Sequence, residues 1–219
     1  MAGTLLVFAS RQEFSFFFKK ISAVVASSTP ALIEPSIYAA VAGVGVVNFS
    51  ANLARFFSQK KYERAFLLGI CGAYPSSGLQ VGDVVRVDTE VVADMGTQSR
   101  EGHFIPWKTI VSEETIYKGA SPRDLPLRLA AISEVAGGTV NCCTGTRYLG
   151  NRRESTFQIQ VESMEGAAFF AVCKAYGVSG YQFRAVSNMA SDRDESSWDI
   201  PRALTALKQS VLDLLLDNK

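Results

Sequence analysis

Residues 161–170 read VESMEGAAFF, and Glu165 stands inside an otherwise apolar run, where a buried helix would begin. A buried carboxylate without a partner is strongly destabilising, so Glu165 is exposed, paired, or kept to hold a ligand. Glu162 lies three residues earlier, one helical turn away, and a surface pair or a cap accounts for it. Glu13, in SRQEF, opens a stretch carrying Phe14, Phe16, Phe17 and Phe18, where an acid favours the helix dipole. SNMASDRD, residues 187–194, gathers Ser187, Asn188 and Asp192 after another apolar run; Asx turns in a loop explain such a cluster equally well. GICGAYPSSGLQVGD, residues 69–83 and including Gly72, reads as a backbone cradle for a phosphate or as a glycine-rich crossover. Gly43 and Gly45 begin a dinucleotide fingerprint whose third glycine is replaced by Asn48, so a tight turn with close helix packing is expected there.

Other chemistries are poorly supplied. His103 is the only histidine and no G-x-S-x-G stretch occurs, which disfavours Ser-His and Cys-His nucleophiles. Cys71, Cys142, Cys143 and Cys173 are irregularly spaced and read as reduced core residues, with no metal site and no cofactor expected. Lys and Arg total 22 against 21 Asp and Glu, so no charge footprint for nucleic acid or an anionic membrane is present, and the partner expected is a small molecule. No apolar stretch approaches the ~20 residues that span a bilayer. The opening MAGTLLVFASRQEF lacks a basic n-region and breaks its apolar run at Arg11 and Glu13, which points to the cytoplasm.

The elements that must position these residues follow from periodicity. TLLVFAS, SIYAAVAGVG, AFLLGICG, DVVRVDTEVV, GTVNCCTG, QIQV and YQFRAVS are strand candidates. NFSANLARFFSQ, LPLRLAAISEV and EGAAFFAVCKAYG have helical spacing, the last stopping at Gly177. PRALTALKQSVLDLLLD places Leu204, Leu207, Val211, Leu214 and Leu215 on one stripe of a terminal helix. SPRDLP, residues 121–126, reads as a surface loop, and no linker divides the chain. The alternation predicts one α/β domain over residues 1–219, a three-layer αβα arrangement around a mainly parallel or mixed sheet. Ligands of such sheets sit beyond the carboxyl ends of the strands, where Glu13, Gly72, Glu165 and Asn188 all fall.

VGDVVRVDTEVVADMG, VESMEGAA and FRAVSN, in this order and at these separations, resemble the nucleoside phosphorylase and nucleosidase superfamily over nearly the whole chain. Within it, GICGAYPSSGLQVGDVV, VESMEGAA and RAVSN followed by DRD and a tryptophan look most like the futalosine hydrolases, relatives of the methylthioadenosine/S-adenosylhomocysteine nucleosidases. The resemblance implies an N-ribosyl hydrolase acting on a purine nucleoside, with water as nucleophile and a homodimer as the assembly. It assigns Glu165 to the ribose 2′ and 3′ hydroxyls, Met164 to packing on the sugar, and Glu13 to water activation as general base. It places Phe104 and Ile105, of EGHFIPW, in a loop that closes over the ligand of a neighbouring subunit. Enzymes of this group acting on adenine nucleosides carry Ser-Asp where this chain has Ser187 and Asn188. An amide donates to a purine O6 while its carbonyl accepts from N7–H, so Asn188 favours a 6-oxopurine, with Asp192 supplying a proton directly or through water. Turned over, the same amide donates to N7 and accepts from an adenine amino group, which keeps 6-amino-6-deoxyfutalosine, methylthioadenosine and S-adenosylhomocysteine as the alternative substrates. The hexameric phosphorylases carry an arginine and a serine where Leu67 and Ile70 stand here, which favours hydrolysis over phosphorolysis, although Arg11 and Arg147 remain as other phosphate-binding arginines.

Overall fold

The computed structural model describes residues 3–19, 29–111 and 115–216. In chain order the elements are β1 (Gly3–Phe8), α1 (Arg11–Phe17), β2 (Ala31–Glu34), β3 (Ile37–Val41), α2 (Val46–Gln59), β4 (Tyr62–Ala73), β5 (Val84–Val92), β6 (Gly96–Gln98), β7 (Phe104–Pro106) and β8 (Ile116–Lys118). They continue with α3 (Leu127–Ala130), β9 (Glu134–Thr139), α4 (Arg147–Phe157), β10 (Val161–Ser163), α5 (Gly166–Tyr176), β11 (Ser179–Met189), α6 (Ile200–Leu207) and α7 (Asp213–Leu216).

Among the described residues, nine strands form one mixed sheet in the order β10-β9-β5-β11-β4-β1-β3-β2, with β8 added against β5. The β1–β3, β1–β4, β4–β11, β5–β9 and β9–β10 pairs are parallel, whereas β5–β11, β4–β10 and β2–β3 are antiparallel. Because β10 pairs with both β9 and the end of β4, part of the sheet closes on itself as a five-stranded ring. That closure adds to the expected layered sheet and gathers the ends of β4, β10 and β11 around one space.

Strand β1 shows why helices cover both faces. Its alternate side chains Leu5 and Val7 pack with Phe49, Leu53 and Phe56 of α2 and with Phe169 and Phe170 of α5. Leu6 and Phe8 point the other way, into a cluster with Phe14 of α1 and with Ala203 and Leu207 of α6. Every one of these side chains is nearly or fully buried, and each full burial of a large apolar side chain contributes about 1.5–3 kcal/mol.

The helix boundaries reflect their caps. Helix α5 ends on Gly177, left-handed at φ 65°, as its sequence predicts. Helix α6 starts with Asp199 accepting from the Arg202 N–H and Pro201 in the first turn; a π-helical turn, Lys208–Leu212, joins it to α7. Leu204, Leu207 and Val211 are buried, as their stripe requires, and Leu214 and Leu215 pack beside them.

Two expectations are corrected, and one helix is added. LPLRLAAISEV is helical only over Leu127–Ala130; Leu125 and Leu129 anchor that turn in the core, and the chain enters β9 at Glu134 to pair with β5. Helix α4 has no apolar stripe to betray it, burying only Gly150 and Arg153. Of the four cysteines, which are all free, only Cys71 and Cys173 are core residues; Cys142 and Cys143 are exposed after β9.

Candidate active site

Beyond the carboxyl ends of β1, β4, β10 and β11 lies a cavity of about 230 Å³. Glu13, Gly72, Met164, Glu165, Ser187 and Asn188 all line it, joined by Glu162 and Arg184. Six residues proposed from separate stretches of sequence thus share one cavity.

Glu13 fills the structural place expected of it at the start of a helix and also lines the cavity. It completes a capping box at the start of α1, where its Oε2 accepts from the Ser10 N–H at 3.0 Å and from the Ser10 hydroxyl at 2.9 Å. Its Oε1 accepts from the Ile70 N–H at 3.0 Å. Three fixed donors hold the carboxylate in one orientation, and Oε1 retains a lone pair. Gly69 explains how strand and carboxylate come so close: a Cβ there would stand 2.5 Å from Glu13 Oε1 and 2.8 Å from Arg184 Nη1.

Glu165 occupies the N-cap of α5, where the helix dipole favours negative charge. Its Oε1 accepts from the Gly45 N–H at 3.1 Å, and Arg184 Nη2 lies 3.4 Å from Oε2. Gly43 and Gly45 have φ of 100° and 81°, the tight turn expected of them, and that turn aims the Gly45 amide at Glu165. Burial raises the Glu165 pKa; Arg184 and the Gly45 amide oppose the rise, and the nearby Glu13 charge adds to it. The partner absent from the apolar run is therefore Arg184, reached through the fold. The ion pair is longer than the ~2.7–2.9 Å of a tight charge-assisted bond. Each Glu165 oxygen keeps a lone pair beside the cavity, enough for two vicinal hydroxyls.

Arg184 is the charged cavity residue that the sequence reading passed over. It stands inside the apolar run YQFRAVS, is 1% exposed, and donates through Nη1 to the Ile70 carbonyl at 3.3 Å. Its Nε and the Ser163 hydroxyl are buried and have no hydrogen-bond partner among the described residues. Both residues lie on the cavity wall. The signal was the one that singled out Glu165: a charge where periodicity demands an apolar side chain.

At the other end of the cavity, a bulge in β11 separates Val186 from Asn188. The Ser187 hydroxyl lies 3.2 Å from the Cys71 carbonyl and donates to Asn188 Oδ1 at 2.8 Å, while Asn188 Nδ2 donates to the Met189 carbonyl at 3.3 Å. One amide N–H of Asn188 remains for a ligand. Glu162 is no surface pair: it is 6% exposed and bound to Thr144, Tyr74 and Arg153.

Three candidates lie elsewhere. Asp192 is outside the cavity lining, accepting from the Arg147 N–H at 2.8 Å and paired with its guanidinium at 3.6 Å. Phe104 and Ile105 sit on β7, which pairs with β6 in a separate hairpin, and the Phe104 ring carries the Arg152 guanidinium at 5.3 Å. Among the described residues no cluster of His, Cys, Asp and Glu suits a metal, and no helix is long and apolar enough to cross a membrane.

A family model described as the phosphorylase superfamily matches residues 10–216. Futalosine hydrolase of Thermus thermophilus is 34% identical over 182 residues, spanning 80% of this chain and 80% of that protein. Futalosine hydrolase of Helicobacter pylori superposes with a TM-score of 0.76 at 14% identity, covering 99% of this chain and 98% of the other. The 5′-methylthioadenosine/S-adenosyl homocysteine nucleosidase of the same organism gives 0.78 at 16% identity, with 99% and 98% covered. At such identities the solved structures establish the fold.

Proposed function

The chain belongs to the phosphorylase superfamily, and from that premise we propose that it is a single-domain N-ribosyl hydrolase that cleaves futalosine to release hypoxanthine, a step of menaquinone biosynthesis. One observation carries the reading: two buried carboxylates from distant segments, Glu13 and Glu165, converge with Arg184 on a cavity whose far end presents Asn188.

Cleavage of a ribosyl bond passes through an oxocarbenium-like sugar. Glu165 accepts from the ribose diol with its two remaining lone pairs, which sets a negative charge beside the developing cation. Met164 packs on the sugar. Glu13 uses the spare lone pair of Oε1 to take a proton from water, and Arg184, whose guanidinium stands over the same glycine, holds that water's oxygen. Attack at the anomeric carbon breaks the bond to the purine nitrogen, and the bonding pair leaves with the base. Asn188 donates its free N–H to that base. Asp192, tied to Arg147, reaches the base only through water or a moved loop.

Water rather than phosphate fits the arginines. Arg11 and Arg147 are outside the cavity lining; of the two arginines that line it, Arg184 is engaged by Glu165 and the Ile70 carbonyl and Arg193 by Glu195. We assign the enzyme to the cytoplasm as a homodimer. Val47 is 78% exposed, Met95 39% and Trp107 38%, and Met95 joins Val46 and Ala171 along one shallow apolar depression beside the β6–β7 hairpin. A partner on this face would receive Phe104 and Ile105, as the resemblance suggests. Light scattering behind a sizing column tests the dimer.

Purified protein incubated with futalosine, its 6-amino analogue, methylthioadenosine and S-adenosylhomocysteine, in phosphate-free buffer, tests the activity. Hypoxanthine released from futalosine fastest, with free ribosyl product, is the expected result. Faster adenine release from the others, or a requirement for inorganic phosphate, overturns it.

A further inference from the structure

Glu162 has no part in the chemistry above, yet its buried carboxylate lines the same cavity. Its two oxygens are unequally used. Oε2 accepts from the Thr144 hydroxyl at 2.6 Å and the Tyr74 hydroxyl at 2.8 Å, with Arg153 Nη1 at 3.4 Å. Among the described residues Oε1 accepts only from the Thr144 N–H, at 2.7 Å. A carboxylate oxygen takes two donors, so Oε1 has one place left. Gly72 shows what stands beside it: a Cβ on that residue would lie 3.3 Å from Asn188 Nδ2 and 3.6 Å from Glu162 Cγ. Gly72 pairs with Glu162 on one side and with Asn188 on the other, so the amide with a spare N–H and the stem of the carboxylate with a spare lone pair flank one glycine.

We propose that Glu162 is a specificity residue, accepting a hydrogen bond from the ring N1–H of a 6-oxopurine while Asn188 donates to the neighbouring O6. The inference rests on the nucleoside hydrolase reading and names what selects its base. A 6-oxopurine offers a donor at N1 beside an acceptor at position 6, the complement of a carboxylate beside an amide N–H. A 6-aminopurine offers the reverse order, acceptor then donor, and each group then meets its own kind. Discrimination of this polar type is steep, because the mismatched base leaves buried groups unpaired. Arg153, itself 5% exposed, supplies the counter-charge that lets a carboxylate occupy the site.

The test compares kcat/KM for futalosine and its 6-amino analogue in the wild type, Glu162→Gln and Tyr74→Phe. The Gln variant should lower the 6-oxo to 6-amino ratio by roughly ten- to hundredfold, the worth of a hydrogen bond to a charged group. Tyr74 touches Glu162 but does not line the cavity, so its variant should lose stability and keep the ratio. An unchanged ratio in Glu162→Gln, or an equal fall for both substrates, overturns the proposal and leaves the hydrolase reading intact. Should the Gln variant not fold, inhibition of the wild type by free bases decides: hypoxanthine at least about tenfold tighter than adenine supports the assignment, and adenine binding as tightly or more tightly refutes it. A wild type that cleaves no nucleoside defeats the hydrolase reading alone, since base binding is still measured.

Discussion

Glu90 of β5 is 1% exposed, with Oε1 accepting from Gln182 Nε2 and Oε2 from the Thr139 hydroxyl, each at 2.9 Å. Burial raises it from its ordinary 4.5 to about 7, against the lowering by Gln182, Thr139 and Arg184 and with a further push from Glu165. Between those values the folded chain holds a proton that the unfolded chain has released, so stability falls as pH rises through the window. The span corresponds to about 3 kcal/mol, at about 1.4 kcal/mol per pH unit. Glu90→Gln imitates the protonated acid: its amide oxygen still accepts from Gln182 Nε2, and its N–H takes the place of the carboxyl O–H. The variant should nearly match the wild type at pH 5 and exceed it by about 3 kcal/mol at pH 8, roughly 6–12 °C in Tm for a chain of this size. Urea and thermal melts of both proteins across this range measure the difference, in which the titrations of groups not coupled to Glu90 cancel. Parallel curves, or a wild type that gains on the variant as pH rises, refute the assignment of a buried, proton-binding Glu90.

Gly69→Ala sets a methyl group against Glu13 Oε1 and Arg184 Nη1; kcat should fall by about two orders of magnitude, and a near-native rate would show that the two groups need not converge. Glu13→Gln and Glu165→Gln should each lower turnover at least about a hundredfold while futalosine still binds, and a variant with native turnover loses its assigned role. Because burial raises Glu165, kcat/KM should decline on acidification from a pH above the usual carboxylate range, and the acid limb should vanish in Glu165→Gln.

The alternation of strands and helices along most of the chain, the apolar stripes, the cap at Gly177 and the oddly placed Glu13, Glu165 and Asn188 were legible in the sequence. Each depends on local chemistry: period, turn residues, or a charge set where apolar side chains belong. Helix α4 was not legible because its sequence carries no stripe, and LPLRLAAISEV misled because its leucines anchor a short turn before the chain pairs as β9. What became of the odd charges was settled only in three dimensions. Glu165 meets Arg184 across 19 residues, Glu13 meets Ile70 across 57, and Glu162 gathers Tyr74 from 88 residues away. A sequence reveals that a buried carboxylate needs a partner, since desolvation is a property of the side chain and its neighbours along the chain. Which group answers that need, and which lone pairs remain for a ligand, follows from sheet order and ring closure, because only pairing between distant strands brings those atoms within hydrogen-bond reach.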